Sequence, residues 1–331
     1  MNKKAIRERM TPLFPILDII LSPFTLLASL LLFSIRKMRI NNMPVSKKIF
    51  KSVGVFPISN HYYEPLFDDR QLRFSLDRDR NLPGIDWNVK KQLSILQSFN
   101  YQSELSTFPF SQVNDELKFY FGNPSFGPGD AEYLYSMIRL FKPARLIEIG
   151  SGYSTLMCKA AIEKNRAEDP AYTCHVLCIE PYEMPWLEKT GIEIVRKRVE
   201  DIDLGIFKDL KENDILFIDS SHIIRPQGDV LFEFLEILPE LPAGVFIHVH
   251  DIFSPGDYKQ SLVVDEVLFW NEQYLLEAFL SCNDQFEITG ALHFLKRHHS
   301  ELMMTQFPVL NKFPSHEPGS FWFKKRSKNS L

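Results

Sequence analysis

The amino-acid sequence predicts an α/β fold, a doubly wound and mostly parallel sheet with helices on both faces, preceded by an N-terminal membrane helix. Three observations support this prediction. Short apolar strands alternate with helical segments from residue 129 onward, which is typical of a parallel sheet covered by helices. A glycine-containing loop joins the first of these strands to a helix. A basic and strongly apolar segment precedes residue 52.

The composition is that of a globular protein. The chain has 331 residues, 45% of them hydrophobic and 24% charged, which excludes a disordered, collagen-like or coiled-coil protein. Four cysteines are too few for a disulfide framework, so we expect reduced thiols. Residues 1–51 contain ten Lys and Arg against two Asp and Glu, whereas the remainder contains 28 against 40. The N-terminal segment is therefore basic and the rest of the chain is acidic. This distribution argues against a nucleic-acid partner, because a nucleic-acid-binding protein carries its basic charge around the cleft.

The most apolar stretch, residues 13–35, predicts a membrane segment. Asp18 is the only charged residue among its 23 residues, and the stretch is long enough to cross a hydrocarbon core of about 30 Å. The basic residues that flank it are Lys3, Lys4, Arg7, Arg9, Arg36, Lys37, Arg39, Lys47, Lys48 and Lys51. The segment either spans the bilayer or, kinked at Pro15 and Pro23, returns to the same leaflet, and the positive-inside rule places the following domain in the cytoplasm in both cases. The alternative is a buried helix of a soluble domain.

Three regions are predicted along the chain: a basic membrane anchor at 1–51, an irregular region rich in proline and aromatic residues at 52–124, and the α/β domain at 125–331. From the hydrophobic periodicity, we predict helices at 89–99, 131–141, 154–164, 227–238 and 264–281. We predict strands at 145–149, 175–179, 193–196, 214–218, 244–249, 286–292 and 321–324.

The loop Glu148-Ile-Gly-Ser-Gly-Tyr-Ser-Thr155 follows the first strand and opens a helix. Its two glycines, Gly150 and Gly152, allow a tight turn and a close approach to a ligand, and the helix N-terminus presents free N–H groups. Thr155 stands where the dinucleotide-binding pattern has its third glycine, so the loop indicates a different nucleotide cofactor. A simple tight turn is the alternative for this motif taken alone.

Acidic residues end three consecutive strands and strengthen the cofactor interpretation. Glu148 would repel a pyrophosphate but suits a cationic ligand. Glu180 ends the second strand, where a carboxylate can accept both hydroxyls of a ribose. Asp201 follows the third strand, where an acid can bind an adenine amino group.

With these residues the chain resembles the class I S-adenosylmethionine-dependent methyltransferases, and more closely a bacterial subgroup related to antibiotic-sugar O-methyltransferases. The resemblance covers roughly residues 80–325 and includes the segments 126–133, 214–222 and 247–253. It implies a Rossmann-like sheet of seven strands with the last strand antiparallel, S-adenosylmethionine as the cofactor, and methyl transfer as the reaction. The residues expected to bind the cofactor are Glu148, Gly150, Ser151, Gly152, Tyr153, Ser154, Glu180, Asp201 and Asp219.

Polar residues also end the fourth and fifth strands. Asp219 and His222 follow the fourth strand, and His250 and Asp251 end the fifth. Because ligands of doubly wound sheets bind beyond the carboxyl ends of the strands, we expect these residues to converge beside the sulfonium. Transfer of a methyl group to a hydroxyl requires loss of the hydroxyl proton, which suits a histidine. We favour His250 as the base, keep His222 as the alternative, and place Asp219 beside them in the catalytic group.

A divalent metal is a second interpretation of the same residues. Asp219 and Asp251 with a histidine could hold Mg²⁺, which would orient two substrate oxygens; alternatively, the carboxylates only orient the histidines. Four aromatic residues are candidates for the lining of an acceptor cleft, where they would stack on sugar faces: Trp87, Tyr133, Trp270 and Tyr274. Core packing is the better interpretation of each of them taken singly.

The function favoured by the sequence is O-methylation of a glycan or lipid-linked sugar at the cytoplasmic face of a membrane, because a soluble acceptor would not require an anchor. One alternative is a metal-dependent hydrolase built on Asp219, His222, His250 and Asp251. Another is a catalytically silent scaffold bound to the membrane. The sequence identifies neither the acceptor nor the oligomeric state.

Overall fold

A computed structural model of the chain describes residues 11–182 and 184–327. The chain divides into two compact units, one ending at Arg73 and the other beginning at Phe74. The first four basic residues of the predicted anchor, Lys3, Lys4, Arg7 and Arg9, lie outside the described residues.

The first unit contains a long apolar helix, α1 (Phe14–Lys37), and a short one, α2 (Pro44–Val53). Helix α1 is continuous, with Pro23 inside it. By its length and composition this helix is able to cross a membrane. Its apolar side chains are exposed, Ile19 to 72% for example, with the exception of Ile35 near its end, so the structure does not show the alternative of a helix buried in a soluble core.

The second unit contains the remaining helices and one sheet. The helices are α3 (Val89–Ser98), α4 (Gln102–Leu105), α5 (Asp130–Phe141), α6 (Tyr153–Glu168), α7 (Gly205–Lys208), α8 (229–240, with a π-helical turn at Glu233–Ile237), α9 (Glu272–Leu280), α10 (Leu292–His298), α11 (Ser300–Gln306) and α12 (Pro308–Lys312). The strands are β1 (Arg145–Ile149), β2 (His175–Ile179), β3 (Glu193–Val195), β4 (Ile215–Ile218), β5 (Phe246–Val249), β6 (Phe286–Ala291) and β7 (Phe321–Lys325).

The seven strands form one sheet in the order β3-β2-β1-β4-β5-β7-β6. Strands β1 to β5 are parallel, and β7 runs antiparallel between β5 and β6. This arrangement confirms the predicted fold class, including the antiparallel last strand. The chain order reverses between β1 and β4, which leaves a crevice for ligands at the carboxyl ends of these strands.

The central strands are apolar on both faces because helices cover both sides of the sheet. In β4, Ile215 and Phe217 belong to one hydrophobic cluster, which includes residues of α5 and α6. Leu216 and Ile218 belong to the other, which includes residues of α8 and α9. Burying one such side chain contributes about 1.5–3 kcal/mol, so the double layer fixes the positions of the strand ends.

The predicted helix at 264–281 is wrong over its first half. A π-helical turn at Ser261–Asp265 is followed by Val267 in the left-handed region, and α9 begins only at Glu272. The backbone N–H groups of Asn271 and Glu272 both donate to the carbonyl of His222, at 2.9 and 3.2 Å. The start of the helix is therefore set by the loop after β4, which the apolar periodicity does not reveal.

Candidate functional site

Three residues that directly follow neighbouring strands form the floor of the site. Gly150, Asp219 and His250 follow β1, β4 and β5. The backbone N–H of each donates to the last carbonyl of the adjacent strand, at 3.0, 2.8 and 2.9 Å respectively. These bonds extend the parallel ladder by one step, so the sheet brings together three residues that are spread over about 100 residues of sequence.

The glycine loop passes directly over β4. Gly150 has a φ of 75°, and a Cβ at this position would lie 1.8 Å from the carbonyl oxygen of Asp219. Only glycine therefore fits at this position. Gly152 is different, because the nearest atoms to an added Cβ belong to Met184 at 3.8 Å and beyond. The loop therefore leaves no space for a side chain at Gly150 but has free space beside Gly152.

Glu148 lies beneath the loop and is fully buried. Its Oε2 accepts from the Thr155 hydroxyl and from the Cys178 thiol, the latter at 3.4 Å. Burial raises the pKa of Glu148 to about 7. Its Oε1 has no hydrogen-bond partner in the described part of the chain, and a buried polar atom of this kind is costly unless a ligand or water contacts it.

Glu180 follows β2 and holds the glycine loop. One carboxylate oxygen accepts from the backbone N–H of Ser151 at 3.1 Å, and the other accepts from that of Tyr182 at 2.9 Å. Glu180 itself is only 7% exposed. The residue therefore lies at the carboxyl edge of the sheet, in direct contact with the glycine loop.

The remaining predicted cofactor residues lie at the start of α6 and after β3. Ser154 is buried in the first turn of α6. The Tyr153 hydroxyl lies 3.3 Å from that of Tyr120. Asp201 is half-exposed in a short helical turn, where its carboxylate forms an ion pair with Arg198 at 3.1 Å.

A histidine surrounded by carboxylates lies at the ends of β4 and β5. The Nε2 of His222 is 3.4 Å from Asp219 Oδ1 and 3.6 Å from Asp251 Oδ2, and its Nδ1 is 2.8 Å from Glu272 Oε2. Burial alone would lower the pKa of His222, but its hydrogen bonds to Asp219 and Glu272 raise it well above the ordinary value. The contact between Nδ1 and Glu272 orients the ring so that Nε2 points toward Asp219 and Asp251.

Sequence reasoning missed Glu272 and the function of Trp270 beside this histidine. Glu272 is fully buried and lies 50 residues from His222 in the chain. The Trp270 ring packs against the His222 ring, with centroids 4.4 Å apart. Glu272 lies inside the segment predicted as one continuous helix, so no sequence signal sets it apart, and the aromatic character of Trp270 predicts a cleft wall and not a contact with His222.

Two residues of this cluster have an unfavourable backbone conformation. His222 and Asp251 adopt φ values of 60° and 55°, in the left-handed region that costs a residue with a side chain about 1–3 kcal/mol. Such residues cluster at functional sites, where the surrounding structure holds them in place. Here the strain places both side chains on the same side as Asp219.

His250 is buried between the cluster and a cavity. Its Nε2 is 4.0 Å from Asp251 Oδ1, its ring packs 5.3 Å from that of Phe126, and its Nδ1 has no partner among the described residues. Burial alone would lower the pKa of His250, but the negative charges of Asp219 and Asp251 raise it. For Asp219, burial would raise the pKa, and the two neighbouring histidines outweigh this effect and lower it.

His248 differs from the other two histidines. It is fully buried, stacks on Phe217 and lies 2.9 Å from the Ser320 hydroxyl. Burial and the charge of His250 lower the pKa of His248 well below its ordinary value. His248 therefore stays neutral and serves packing.

A cavity of about 490 Å³ opens next to His250 and Asp251. Its wall includes Phe110, which stacks on Phe313 with ring centroids 4.3 Å apart. Lys259 contributes a positive charge to the same wall. The volume is sufficient for a small organic group, and the wall combines apolar rings with polar and charged side chains, among them Asp130 and Glu317.

Of the four aromatic residues considered as cleft lining, only Trp270 contacts the histidine cluster. Tyr133 is buried in the core, where its hydroxyl donates to the carbonyl of Thr289. Trp87 stacks on Phe294, and the Tyr274 hydroxyl binds Asp257.

Asp219, His222 and Asp251 are also arranged to hold a metal ion. One ligand atom from each lies within 4.8 Å of the others. Carboxylate oxygens suit Mg²⁺ and Mn²⁺, and the contact between Glu272 and Nδ1 is the outer contact that a ligating histidine usually has. The donor set therefore fits a divalent cation.

Comparison with known proteins gives one family match and one curated relative. Residues 147–252, which contain the glycine loop, Asp219, His222, His250 and Asp251, match the sequence model of a family described as a methyltransferase domain. An uncharacterized protein of Archaeoglobus fulgidus is 29% identical over 182 residues, covering 51% of this chain and 80% of that protein.

Two solved structures resemble the chain at low similarity. The O-methyltransferase TomG of Streptomyces achromogenes, in complex with SAM, has 14% identity and a TM-score of 0.39 and covers 70% of this chain and 99% of its own. An O-methyltransferase of Bacillus cereus, in complex with SAH, has 13% identity and a TM-score of 0.36 and covers 70% and 91%.

Proposed function

We propose that this chain, which carries a methyltransferase domain at residues 147–252, uses S-adenosylmethionine to methylate a hydroxyl of a glycan or lipid-linked sugar at the cytoplasmic face of a membrane. The observation that supports it most is the convergence of Gly150, Asp219 and His250 at neighbouring strand ends. Gly150 belongs to the loop that we propose as the cofactor site, and His250 borders the cavity that we propose for the acceptor.

The cofactor would be held by the loop after β1 and by Glu180. Glu180 follows β2 and contacts the glycine loop, the position at which a carboxylate would accept the ribose hydroxyls. The unpartnered Oε1 of Glu148 suits a cationic ligand. Asp201 remains our proposal for the adenine amino group, which requires that it exchange its pairing with Arg198. When bound, S-adenosylmethionine supplies a methyl group activated by a sulfonium.

The acceptor would occupy the cavity beside His250. Phe110 and Phe313 stack on each other in the cavity wall and are 45% and 37% exposed, and their outer surfaces would contact the apolar face of a sugar. His250 lines this cavity, which makes it the favoured base for the acceptor hydroxyl. His222 is less suited to this role because Asp219, Asp251 and Glu272 surround it.

A divalent ion would be held by Asp219 and Asp251, with His222 beside them. It would orient substrate oxygens and lower the pKa of the hydroxyl. The base and the metal make different predictions, so the two roles are separable by experiment.

His250→Ala should reduce turnover by about 10²–10⁴ if His250 is the base, while the affinity for S-adenosylhomocysteine stays nearly unchanged. His175→Ala, on the exposed start of β2, is the matched control. If the aspartates hold a required metal, EDTA should abolish activity and Mg²⁺ or Mn²⁺ should restore it. We expect EDTA to reduce activity less than His250→Ala does. An active enzyme that ignores EDTA and tolerates His222→Ala/His250→Ala would remove the cluster from the reaction.

Helix α1 would anchor the enzyme. Its 24 residues extend for about 36 Å, which is sufficient to span a hydrocarbon core of about 30 Å. Because the helix is continuous, spanning fits better than a hairpin that returns to the same leaflet. The basic residues after α1 would then keep the catalytic unit in the cytoplasm. Release of the full chain from membranes by a carbonate wash would contradict the anchor.

The acceptor class is tested with methyl-labelled S-adenosylmethionine and cell-envelope fractions. We expect label in the saccharide or lipid-linked saccharide fraction. Gly152→Leu is a suitable inactive control. The space beside Gly152 is open and its backbone conformation tolerates a side chain, so the variant should fold, and the leucine side chain would occupy the proposed cofactor site. Label confined to protein or to sugar-free lipid would overturn the glycan assignment, and no label above the control would contradict methyl transfer to the envelope.

A further inference from the structure

Helix α2 has two chemically opposite faces and no buried residue. Its apolar face is formed by Val45, Ile49 and Val53, which are 72%, 53% and 69% exposed, and its opposite face by Lys47, Lys48 and Lys51. At 100° per residue, the three lysines group on one side of the helix and the apolar side chains on the other. An exposed apolar face of this kind requires a partner.

The position of α2 in the first unit identifies that partner. The chain turns at Arg39, which has a φ of 64°, and α2 begins seven residues after the last residue of α1. Glu64 pairs with Arg36 in the last turn of α1, the Arg36 guanidinium lies 5.3 Å from the centre of the Phe56 ring, and Phe56 packs edge-on against Phe50 of α2. These contacts hold α2 at the basic end of α1, where a spanning helix leaves the bilayer.

Length and charge favour a lipid surface at this place. The ten residues of α2 extend for about 15 Å, too short to cross a bilayer. Lysines on one face and aliphatic side chains on the other are typical of helices that lie in the plane of an anionic membrane. Tyr62 and Tyr63, which are 91% and 85% exposed, are of the type that occupies the membrane–water interface.

We infer that α2 lies flat at the boundary between headgroups and acyl chains, with Ile49 toward the acyl chains and Lys48 toward anionic headgroups. The inference rests on the proposed membrane helix α1 and goes beyond it, because it assigns a second contact with a different lipid region. The enzyme would thereby be held against the surface that carries its proposed acceptor.

The test is site-specific labelling of the full chain. In a Cys282→Ser background, which removes the exposed cysteine and leaves three buried ones, an environment-sensitive fluorophore is attached in separate variants at Ile49→Cys, Val53→Cys, Lys47→Cys and Lys51→Cys. The labelled proteins are reconstituted into phosphatidylcholine vesicles with or without phosphatidylglycerol. Leu27→Cys, in the middle of α1, reports on the anchor independently.

We expect labels at positions 49 and 53 to be quenched by a lipid-borne quencher and shielded from iodide, and labels at 47 and 51 to show the reverse. Phosphatidylglycerol should increase the quenching of labels 49 and 53 by the lipid-borne quencher, and Lys47→Gln/Lys48→Gln/Lys51→Gln, added to these two labelled variants, should abolish the increase. Equal iodide quenching at all four positions, or shielding of 49 and 53 from both quenchers by protein, would overturn the inference while a lipid-quenched label at 27 leaves the anchor intact. A label at 27 that iodide quenches would contradict the anchor itself.

Discussion

Glu148 is a buried carboxylate whose protonation should affect the stability of the ligand-free protein. Burial raises its pKa from 4.5 to about 7 in the folded state, so the folded protein binds this proton more tightly than the unfolded chain. Stability is then full below the unfolded pKa and is lost as the pH rises through the folded pKa.

Glu148→Gln should remove this pH dependence. Between about pH 4.5 and pH 7, the wild type should lose up to about 3 kcal/mol relative to the variant, from 1.36 kcal/mol per pKa unit. Thermal unfolding of both proteins across this range, without ligand, measures the difference. Parallel stability curves would show that the folded and unfolded pKa values of Glu148 are the same.

Glu272 positions His222 through Nδ1 and does not itself face the cavity. If His222 ligates a metal, Glu272→Ala should therefore reduce activity by about 10–100-fold, the usual cost of losing the outer contact of a metal-ligating histidine. The affinity for S-adenosylhomocysteine should not change. The matched control is Glu266→Ala, at an exposed position before the same helix. Activity equal to that of the control would show that the reaction does not depend on the orientation of His222.

Individual residues were predictable where a strand end determined their position. Gly150, Glu180 and His250 each directly follow a strand, so the alternation of strands and helices was sufficient to bring them to one edge. Glu272 was not predictable, because its contact with His222 depends on how a loop meets a helix 50 residues later. The ion pair between Asp201 and Arg198 likewise depends on a local turn.

At the scale of elements, one buried carboxylate joins the starts of two helices. Glu132 accepts the backbone N–H of Gly129 at the start of α5, at 3.0 Å. It also accepts the N–H groups of Val309 and Leu310 at the start of α12, at 2.8 and 3.0 Å. These N–H groups have no partner within their own helices, and Glu132 is fully buried.

Glu132→Ala should destabilise the protein by about 3 kcal/mol or more, because each buried donor left without an acceptor costs about 1–3 kcal/mol. Glu301→Ala, at an exposed position in the first turn of α11, should change stability little. Thermal unfolding of the detergent-solubilised full chain compares the two variants. A loss no larger than that of the control would mean that other groups satisfy these helix ends.

The elements also show the limits of periodicity. Leu276 and Leu280 lie in α9 and are buried, as the apolar pattern predicted. The same pattern extended the helix too far toward the N-terminus, because Val264, Val267 and Leu268 continue it in sequence. The carbonyl of His222 instead binds the N–H groups that begin α9, and this tertiary contact sets the boundary.

At the scale of the whole molecule, the fold was predictable because each apolar strand has to be covered on both faces. Residues 147–252 match the sequence model of a methyltransferase-domain family, in agreement with the class inferred from the loop and the strand-end acids. The acceptor was not predictable, because the wall of the cavity includes residues from 110 to 319 that form no compact motif. The glycan assignment rests on the proposed anchor and stays a proposal.

The central claim is that the carboxyl edge of the sheet binds S-adenosylmethionine, and calorimetry with S-adenosylhomocysteine tests it most directly. We expect the full chain to bind this product, and Glu180→Ala to weaken the affinity about ten- to a hundredfold, since a lost pair of charge-assisted hydrogen bonds costs roughly 1.5–3 kcal/mol. Glu193→Ala, in the edge strand with an exposed carboxylate, should leave the affinity unchanged. Absence of binding to the wild type, or equal affinity in the wild type and Glu180→Ala, would contradict the account.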